Sequence, residues 1–545
     1  MMGCAGQTPP FAGTTTTQVT LTADGDTRTL TTSATTVREL LVEAGITLSE
    51  TDEITPPLFT PLSDGLNIVV VRVRESVVTI ERSVPFSRRI VRNESMSAED
   101  APLIIQGGKA GLEELTVRIV YRDGLEAERR TTQVTTIEQA QDEIVMVGIG
   151  AAAGNVAFAG TLAYISNGSG LILRGNSAFP EQLDIGNSLD GRVFTLSPAG
   201  DYLLYTQTTT ETTTFNSLWL ISTAHSATPR PLNVDNILWA GWNPARVELP
   251  QIAFTTAAAT ALPPGWEANN DLWLGEIRQN ERQPFEPEQI IEAYPATYGW
   301  WGGNYAWSPN GEAIAYSYAD EVGFLDLNAA NLEQGRIRLQ RFTEYNTRGD
   351  WAWVPSLTWS PDGQYLVFTR HSSEDASAPL FDIWAAAAGD RFTVPFVAQS
   401  GMWAHPKWSP GSGDLIAYLQ AATPLDSERS SYTLWVMDRD GSNSRQIYPL
   451  PGENSRFPRD EQFMAWGPTG RDLVFTFNSA LYLYNLDSGE AYPLTQDDSL
   501  NSHPTWAPYG AALVSTDLRP TELLPLPTPA AGRQEALPPE EQEKP

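Results

Sequence analysis

A short motif recurs seven times along the second part of this chain: an aromatic residue, a small or polar residue, then proline. The seven copies are Leu196-Ser197-Pro198, Trp242-Asn243-Pro244, Trp307-Ser308-Pro309, Trp359-Ser360-Pro361, Trp408-Ser409-Pro410, Trp466-Gly467-Pro468 and Trp506-Ala507-Pro508, with leucine once in the aromatic's place. Their spacings are 46, 65, 52, 49, 58 and 40 residues. A four-stranded propeller blade of about 40 to 50 residues with loop insertions has this period.

The units share more than their prolines. A turn glycine follows in most, as in Pro309-Asn310-Gly311 and Pro361-Asp362-Gly363. A short apolar strand comes next, such as Tyr202-Leu203-Leu204-Tyr205 or Leu415-Ile416-Ala417-Tyr418. A later strand sets an aromatic between aliphatics, as in Leu218-Trp219-Leu220 and Leu434-Trp435-Val436. One such sheet has two faces to bury and cannot stand alone. Stacking the sheets in a closed ring buries both faces and leaves only short edges. The expected fold class is therefore mainly β, with a propeller over residues 155–518. Seven blades fit the count of motifs; six and eight stay open. The seventh unit lacks a third strand, and an unpaired pair of strands, Leu162 to Ile165 and Leu171 to Leu173, precedes the first. These N-terminal strands are expected to complete the last blade.

Two modules are expected ahead of the ring. Residues 18–74 read as a small β-grasp domain. Its one helix is capped by Thr36, buries Val37, Leu40, Leu41 and Ala44, and ends at Gly45. Asp24-Gly25 and Asp64-Gly65 mark turns. Residues 75–150 show no helical period. Apolar residues alternate in Val77 to Ile80 and Leu115 to Tyr121, and Asp123-Gly124 turns a hairpin. Gly107, Gly108 and Gly111 sit where a strand breaks. This is an elongated, strand-rich module with a thin core, better suited to spacing than to chemistry.

Two resemblances follow. The segment from Gln106-Gly107-Gly108-Lys109-Ala110-Gly111 through Thr116 to Gly124 and on to Val145-Met146-Val147-Gly148 resembles a G-five domain. Val19 to Arg74 resembles the ubiquitin-like domain often placed before it in cell-wall-active proteins such as resuscitation-promoting factors. This order implies an extracellular setting and association with wall glycan or surface proteins. Residues 75–150 hold neither His nor Cys, so zinc-linked pairing of G-five arrays is not expected. The repeats resemble the TolB-type propeller, a relative of WD-repeat rings, on Trp359-Ser360-Pro361-Asp362-Gly363 and on Leu434 to Asn443. The known members of that class bind envelope partners, which implies a binding role.

The ends carry their own signals. Met1-Met2-Gly3-Cys4-Ala5-Gly6 resembles the end of a bacterial lipobox, so residues 1–17 read as a tether with lipidation, and membrane attachment, at Cys4. The competing reading is a chance cysteine. Residues 519–545 hold seven prolines and read as a disordered tail. The net charge of −31 repels a phosphate backbone, so no nucleic-acid partner is expected.

Candidate chemistry concentrates at the loops leading into the innermost strands. These hold Trp239, Trp300, Trp301, Trp351, Trp353 and Trp403, whose flat faces suit sugar rings or extended apolar and cationic groups. The competing reading buries each between blades. His405 and His503 occupy equivalent positions, three residues before Trp408 and Trp506, and join the tryptophans as expected ligand-binding residues of the propeller mouth. No third ligand accompanies them, and neither metal nor cofactor is expected. Asp438 to Asn443 lacks the closing Glu of a calcium loop and reads as a turn.

A Gly-x-Ser-x-Gly elbow and a catalytic carboxylate spacing are both missing from the sequence. The expectation is a non-catalytic extracytoplasmic binding or scaffolding protein whose propeller mouth takes a glycan or a protein or peptide partner. Two alternatives stand beside it: a propeller enzyme acting on extracellular glycan, and an inert spacer. Ionisable groups converging in one cleft with shifted pKa values distinguish the enzyme. Export is checked in the genome: an in-frame basic and apolar run upstream of Met1 is the expected finding, and its clear absence counts against a surface location.

Overall fold

A computed structural model describes residues 16–49, 51–84, 86, 88–93, 103–148, 156–178, 180–211, 213–224, 227–278, 284–389, 392–495 and 499–507. The expected lipidation at Cys4 and the Pro-rich tail lie outside the described residues.

The first domain is built as its sequence dictates. Strands Thr17–Ala23 and Asp26–Thr32 form a hairpin, and Asn67–Val71 returns parallel to the first of them. The helix Val37–Glu43 covers the sheet with Val37, Leu40 and Leu41 buried. Thr36 accepts the Glu39 N–H at its start, and Gly45 at φ +73° ends it. One additional short strand, Glu53–Thr55, joins the sheet edge. At the next junction the Arg72 guanidinium grips Asp24 at 2.7 Å and Asp52 at 2.8 Å, while its backbone N–H donates to Asp123 at 2.8 Å. One residue thus ties the first domain to the second, its side chain holding the first and its backbone the second.

The second module is a long three-stranded sheet of Val73–Val84, Gly111–Arg122 and Leu125–Glu138, with a smaller sheet beside it. Its core is thin: Leu115, Val117 and Ile119 are buried. Asp123 and Gly124 turn the hairpin at φ +50° and +86°. Gly108 lies flat against the Phe86 ring, where a Cβ would meet ring carbons at 2.3 Å.

Seven sheets of four or five strands follow among the described residues. Six are consecutive meanders: blade 1 (189–235), blade 2 (237–291), blade 3 (304–341), blade 4 (357–397), blade 5 (407–448) and blade 6 (464–493). Blade 7 is assembled from both chain ends. Its innermost strand is Asn501–Ala507, and Ala157–Ser166 pairs with it, Leu162 opposite Trp506 and Ala163 opposite Thr505. The N-terminal strands therefore complete the last blade, as the unpaired strands required.

The repeated motif explains itself locally. In blade 4 Ser360 donates to Asp362 and accepts the Tyr365 N–H at 2.9 Å, closing the turn into the second strand. Ser308 does the same with Asn310 and Ala313 in blade 3. Gly311, at φ +71°, leaves room for Asn243 of blade 2, whose Oδ1 would stand 2.1 Å from a Cβ there. The tryptophan reaches backward. The Trp242 indole N–H donates to Thr195 O, Trp307 to Gly241 O, Trp359 to Ala306 O and Trp466 to Lys407 O, each at 3.0 or 3.1 Å. Every acceptor is the residue just before the preceding unit's aromatic (leucine in blade 1). Trp408 and Trp506 bond within their own blades, to Gly413 and Ala159. Backbone N–H donors close two further gaps: Trp408 to Thr358 Oγ1 at 3.4 Å joins blade 5 to blade 4, and Leu196, which has no indole, joins blade 1 to blade 7 through Thr505 Oγ1 at 3.1 Å.

A buried indole N–H that finds its acceptor in the next blade contributes about 1 kcal/mol net. Trp359→Phe is therefore expected to lower the urea midpoint of the propeller by about 1–2 kcal/mol of stability, counting lost ring area as well. An unchanged midpoint removes the staple from the account.

Candidate functional site

In a four-stranded antiparallel meander, the loop into the innermost strand and the loop joining the second strand to the third lie at one end. The loop joining the first to the second lies at the other. A central cavity of about 620 Å³ runs along the axis, lined by innermost-strand residues of all seven blades, from Gly303 and Asp460 at the first end to Trp242 and Pro244 at the second. The second end faces the front modules. Thr131 donates to Glu248 at 2.9 Å, in the turn between the first two strands of blade 2, and Arg174 of blade 7 lies 5.3 Å from the Phe86 ring. The loops into the innermost strands, which hold Trp300, Trp301, Trp351 and Trp403, thus frame a mouth at the end away from those contacts.

The aromatic set does not form one ring around this mouth. Trp353 is 2% exposed, donates to Met402 O at 3.0 Å and rests against Phe381 at 4.7 Å. Its place in the blade 3–4 core corrects the expectation that it presents a face to a ligand. Trp351 and Trp403 stack, 5.8 Å apart and 24° from parallel, both half-buried. Trp300 meets Trp301 edge-on at 5.6 Å, and Trp301 meets Trp266 at 5.3 Å. Trp266 in turn covers the Arg192 guanidinium at 4.1 Å, with Phe215 at 5.5 Å. Trp239 stands apart against Tyr305 at 5.3 Å and lines the cavity itself. Two aromatic groups and one cavity-wall indole replace the single cluster.

The two histidines do converge, on the segment leading into blade 6, which sits between their blades. His405 Nε2 donates to Arg459 O at 2.9 Å, and His503 Nε2 lies 3.1 Å from Asp460. Both hold left-handed backbone, φ +40° and +53°, a region where His is tolerated better than most residues. Gly191 of blade 1 leaves space for the His503 ring, 2.9 Å from where its Cβ would be. The histidines thus position the blade 6 segment rather than sharing a ligand. Among the described residues no three His, Cys, Asp or Glu side chains gather as metal ligands.

That segment delivers the charge. Asp460 and Glu461 line the cavity beside Lys407 of blade 5 and Arg192 of blade 1. Gln462 reaches across to Arg192 O at 3.3 Å. Burial pushes the Glu461 carboxyl up to about 7 against the pull of Lys407. Burial likewise pushes the Lys407 ammonium down, with Glu461 and Asp460 opposing. Burial also acts on Asp460, but the His503 hydrogen bond and charge outweigh it and hold that carboxyl below the ordinary range. Sequence reasoning missed these four residues. One signal was available: the chain has three lysines, and Lys407 alone falls within 155–518.

Comparisons with known proteins follow this layout. Residues 19–58 match the G5-linked ubiquitin-like domain and residues 75–149 match the G5 domain. Resuscitation-promoting factor RpfB of Mycolicibacterium smegmatis is 32% identical over 113 residues, 21% of this chain and 31% of that protein. The probable dipeptidyl-aminopeptidase B of Talaromyces marneffei is 27% identical over 156 residues, 28% of this chain. The chain spans 31% and 16% of the lengths of these relatives. Among solved structures, an oligogalacturonate lyase in complex with manganese is similar over 54% of this chain and 72% of that one, at 16% identity and a TM-score of 0.34.

His405 gives a pH prediction. Burial holds it neutral in the fold down to about 4, against 6.5 when unperturbed. Its contribution is intact above pH 6.5 and is lost as pH falls toward 4, because the unfolded chain binds the proton first. Glu461 has the opposite sign, favouring the fold at low pH until pH rises through about 7. His405→Asn should therefore flatten the fall in melting temperature between pH 6.5 and 4. A decline as steep as the parent's rejects a buried neutral imidazole.

Proposed function

We propose that the chain is an extracytoplasmic, cell-surface-associated binding protein. Its ubiquitin-like and G5 domains dock to the wall or to neighbouring surface proteins, and its propeller mouth takes a glycan or peptide partner. The front domain pair, shared with a resuscitation-promoting factor over 113 residues, supports the location. The observation that carries the binding role is the placement of the mouth. A cavity of about 620 Å³ runs along the axis, and the loops at its first end lie away from the contacts with the G5 domain, so docking of the front modules leaves that end accessible. Half-buried tryptophans on loops at that end, Trp300, Trp301 and the Trp351–Trp403 stack, supply flat surface beside it. An inert spacer gains nothing from an open cavity with charged side chains in its wall.

One observation favours a second reading, a propeller enzyme acting on extracellular glycan. Glu461, with a carboxyl near neutrality, stands in the same cavity as Lys407 and Asp460, and such convergence marks catalytic clefts. The binding role is preferred because Asp460 is engaged by His503 and because no second carboxyl free of a partner accompanies Glu461 in the cavity wall among the described residues.

Glycan and peptide arrays probed with the full chain test both readings. Trp300→Ala, Trp301→Ala and Trp351→Ala are expected to weaken the ligands found by at least about tenfold, the scale of losing one aromatic contact. Binding that survives all three variants overturns the mouth assignment. Turnover of any array ligand, abolished by Glu461→Gln, transfers the case to the enzyme.

A further inference from the structure

The cavity charges are unusual in what they do not touch. Lys407 Nζ makes no hydrogen bond and no ion pair within 4.0 Å among the described residues, and neither does the Glu461 carboxylate, although both line one cavity and feel each other's charge. Several recessed charges elsewhere in the chain are paired. Arg72 holds Asp24 and Asp52, Arg82 holds Glu113, and Arg174 holds Glu181. A cation and an anion in a partly desolvated space attract strongly unless something keeps them apart. Here they are carried by rigid elements of different blades: Lys407 by an innermost strand, Glu461 by the one-turn segment that His405 and His503 brace from either side.

The residue type adds a second argument. Of 35 Lys and Arg residues only three are lysine, Lys109, Lys407 and Lys544. A chain that uses arginine for nearly every positive charge has placed the propeller's one lysine at the cavity wall. Lysine differs from arginine there in being a compact point charge whose three donors rotate to meet an acceptor, where a guanidinium is a flat fork with fixed directions. Across the cavity Arg192 already packs against Trp266 and Phe215, so Lys407 is the freer cation. The outer charge is strongly negative, −31 for the chain, which disfavours a purely anionic ligand. A purely cationic ligand meets Lys407 and Arg192 inside.

From this separation of opposite charges, we propose that the cavity binds the zwitterionic ends of a short peptide, its carboxylate on Lys407 and its ammonium on Glu461 with Asp460. Such a ligand is net neutral, so the acidic surface does not repel it, and it bridges two charges that the fold holds apart. The inference rests on the reading of the mouth as a binding site and narrows its ligand from glycan or peptide to peptide termini.

Isothermal titration of the full chain with trialanine tests it, alongside N-acetyl-trialanine, trialanine amide and the doubly capped peptide. Glucuronate and glucosamine serve as single-charge controls. Trialanine is expected to bind, and each cap to weaken it by about tenfold or more, as the loss of a charge-assisted contact does. Lys407→Gln should abolish the difference between acid and amide while keeping that between amine and N-acetyl, and Glu461→Gln should do the reverse. The capping comparison needs no variant, so the test stands even where a substitution impairs folding. No binding of trialanine at millimolar concentration, equal binding of capped and free forms, or tighter binding of either single-charge control overturns the proposal. If it is overturned while the tryptophan variants still lose their array ligands, the mouth remains a binding site and only the ligand class is wrong.

Discussion

The ring depends on one contact made repeatedly: an indole N–H that leaves its own blade and finds a carbonyl in the blade before. Blades of a propeller touch through apolar faces, which are forgiving about lateral slip. A directed hydrogen bond between Trp307 and Gly241 O, or Trp359 and Ala306 O, fixes the register that dispersion alone leaves loose. The same residue supplies the large ring that fills the wedge between sheets; Trp242, Trp307, Trp359 and Trp408 are each 7% or 8% exposed. Proline and the serine-centred turns behind Trp307, Trp359 and Trp408 hold those rings at a constant height. The cavity follows from this arrangement, because the carbonyls gripped by the indoles belong to strands that line it.

The geometry also explains why a strongly acidic protein can hold cations at its centre. Most carboxylates lie on outer strands and loops, where water screens them. At the axis, innermost strands from seven directions leave room for a few side chains, and desolvation there decides which charges persist. Glu461 moves toward neutrality while Asp460, given a histidine partner, does not. Neighbours in sequence, they differ because one has a donor and the other has none.

Much of the fold could be read from the residues because its signals are local and repeated. The Trp-x-Pro motif, the turn glycine and the second strand lie within about ten residues of one another and depend on steric rules that recur in every blade. The fourth strands gave no such signal. Glu288–Ile291 and Glu490–Pro493 are short, polar and largely exposed, and become strands because the third strand offers them an edge. The site was legible only in part. Counting tryptophans in loops found Trp351, Trp403, Trp300 and Trp301 but could not show that Trp353 turns inward to Met402 O. Matching repeat positions found His405 and His503 but not that they brace Asp460 and Glu461, since the blade 5–6 connection that carries the acids holds no histidine or tryptophan to draw attention to it. Lys407 was hidden in plain view, one residue from a motif tryptophan.

The seventh blade joins the strand Ala157–Ser166, just after the front modules, to the strand Asn501–Ala507 near the other end of the described chain. Tension transmitted from an anchored front end therefore reaches the ring at this seam first. It pulls along strands whose pairing runs side by side over several residues, so the ladder bonds share the load at once instead of opening one after another like a zip. A protein tethered at one end and gripped at its propeller would meet its highest mechanical resistance at the place where the circle was closed.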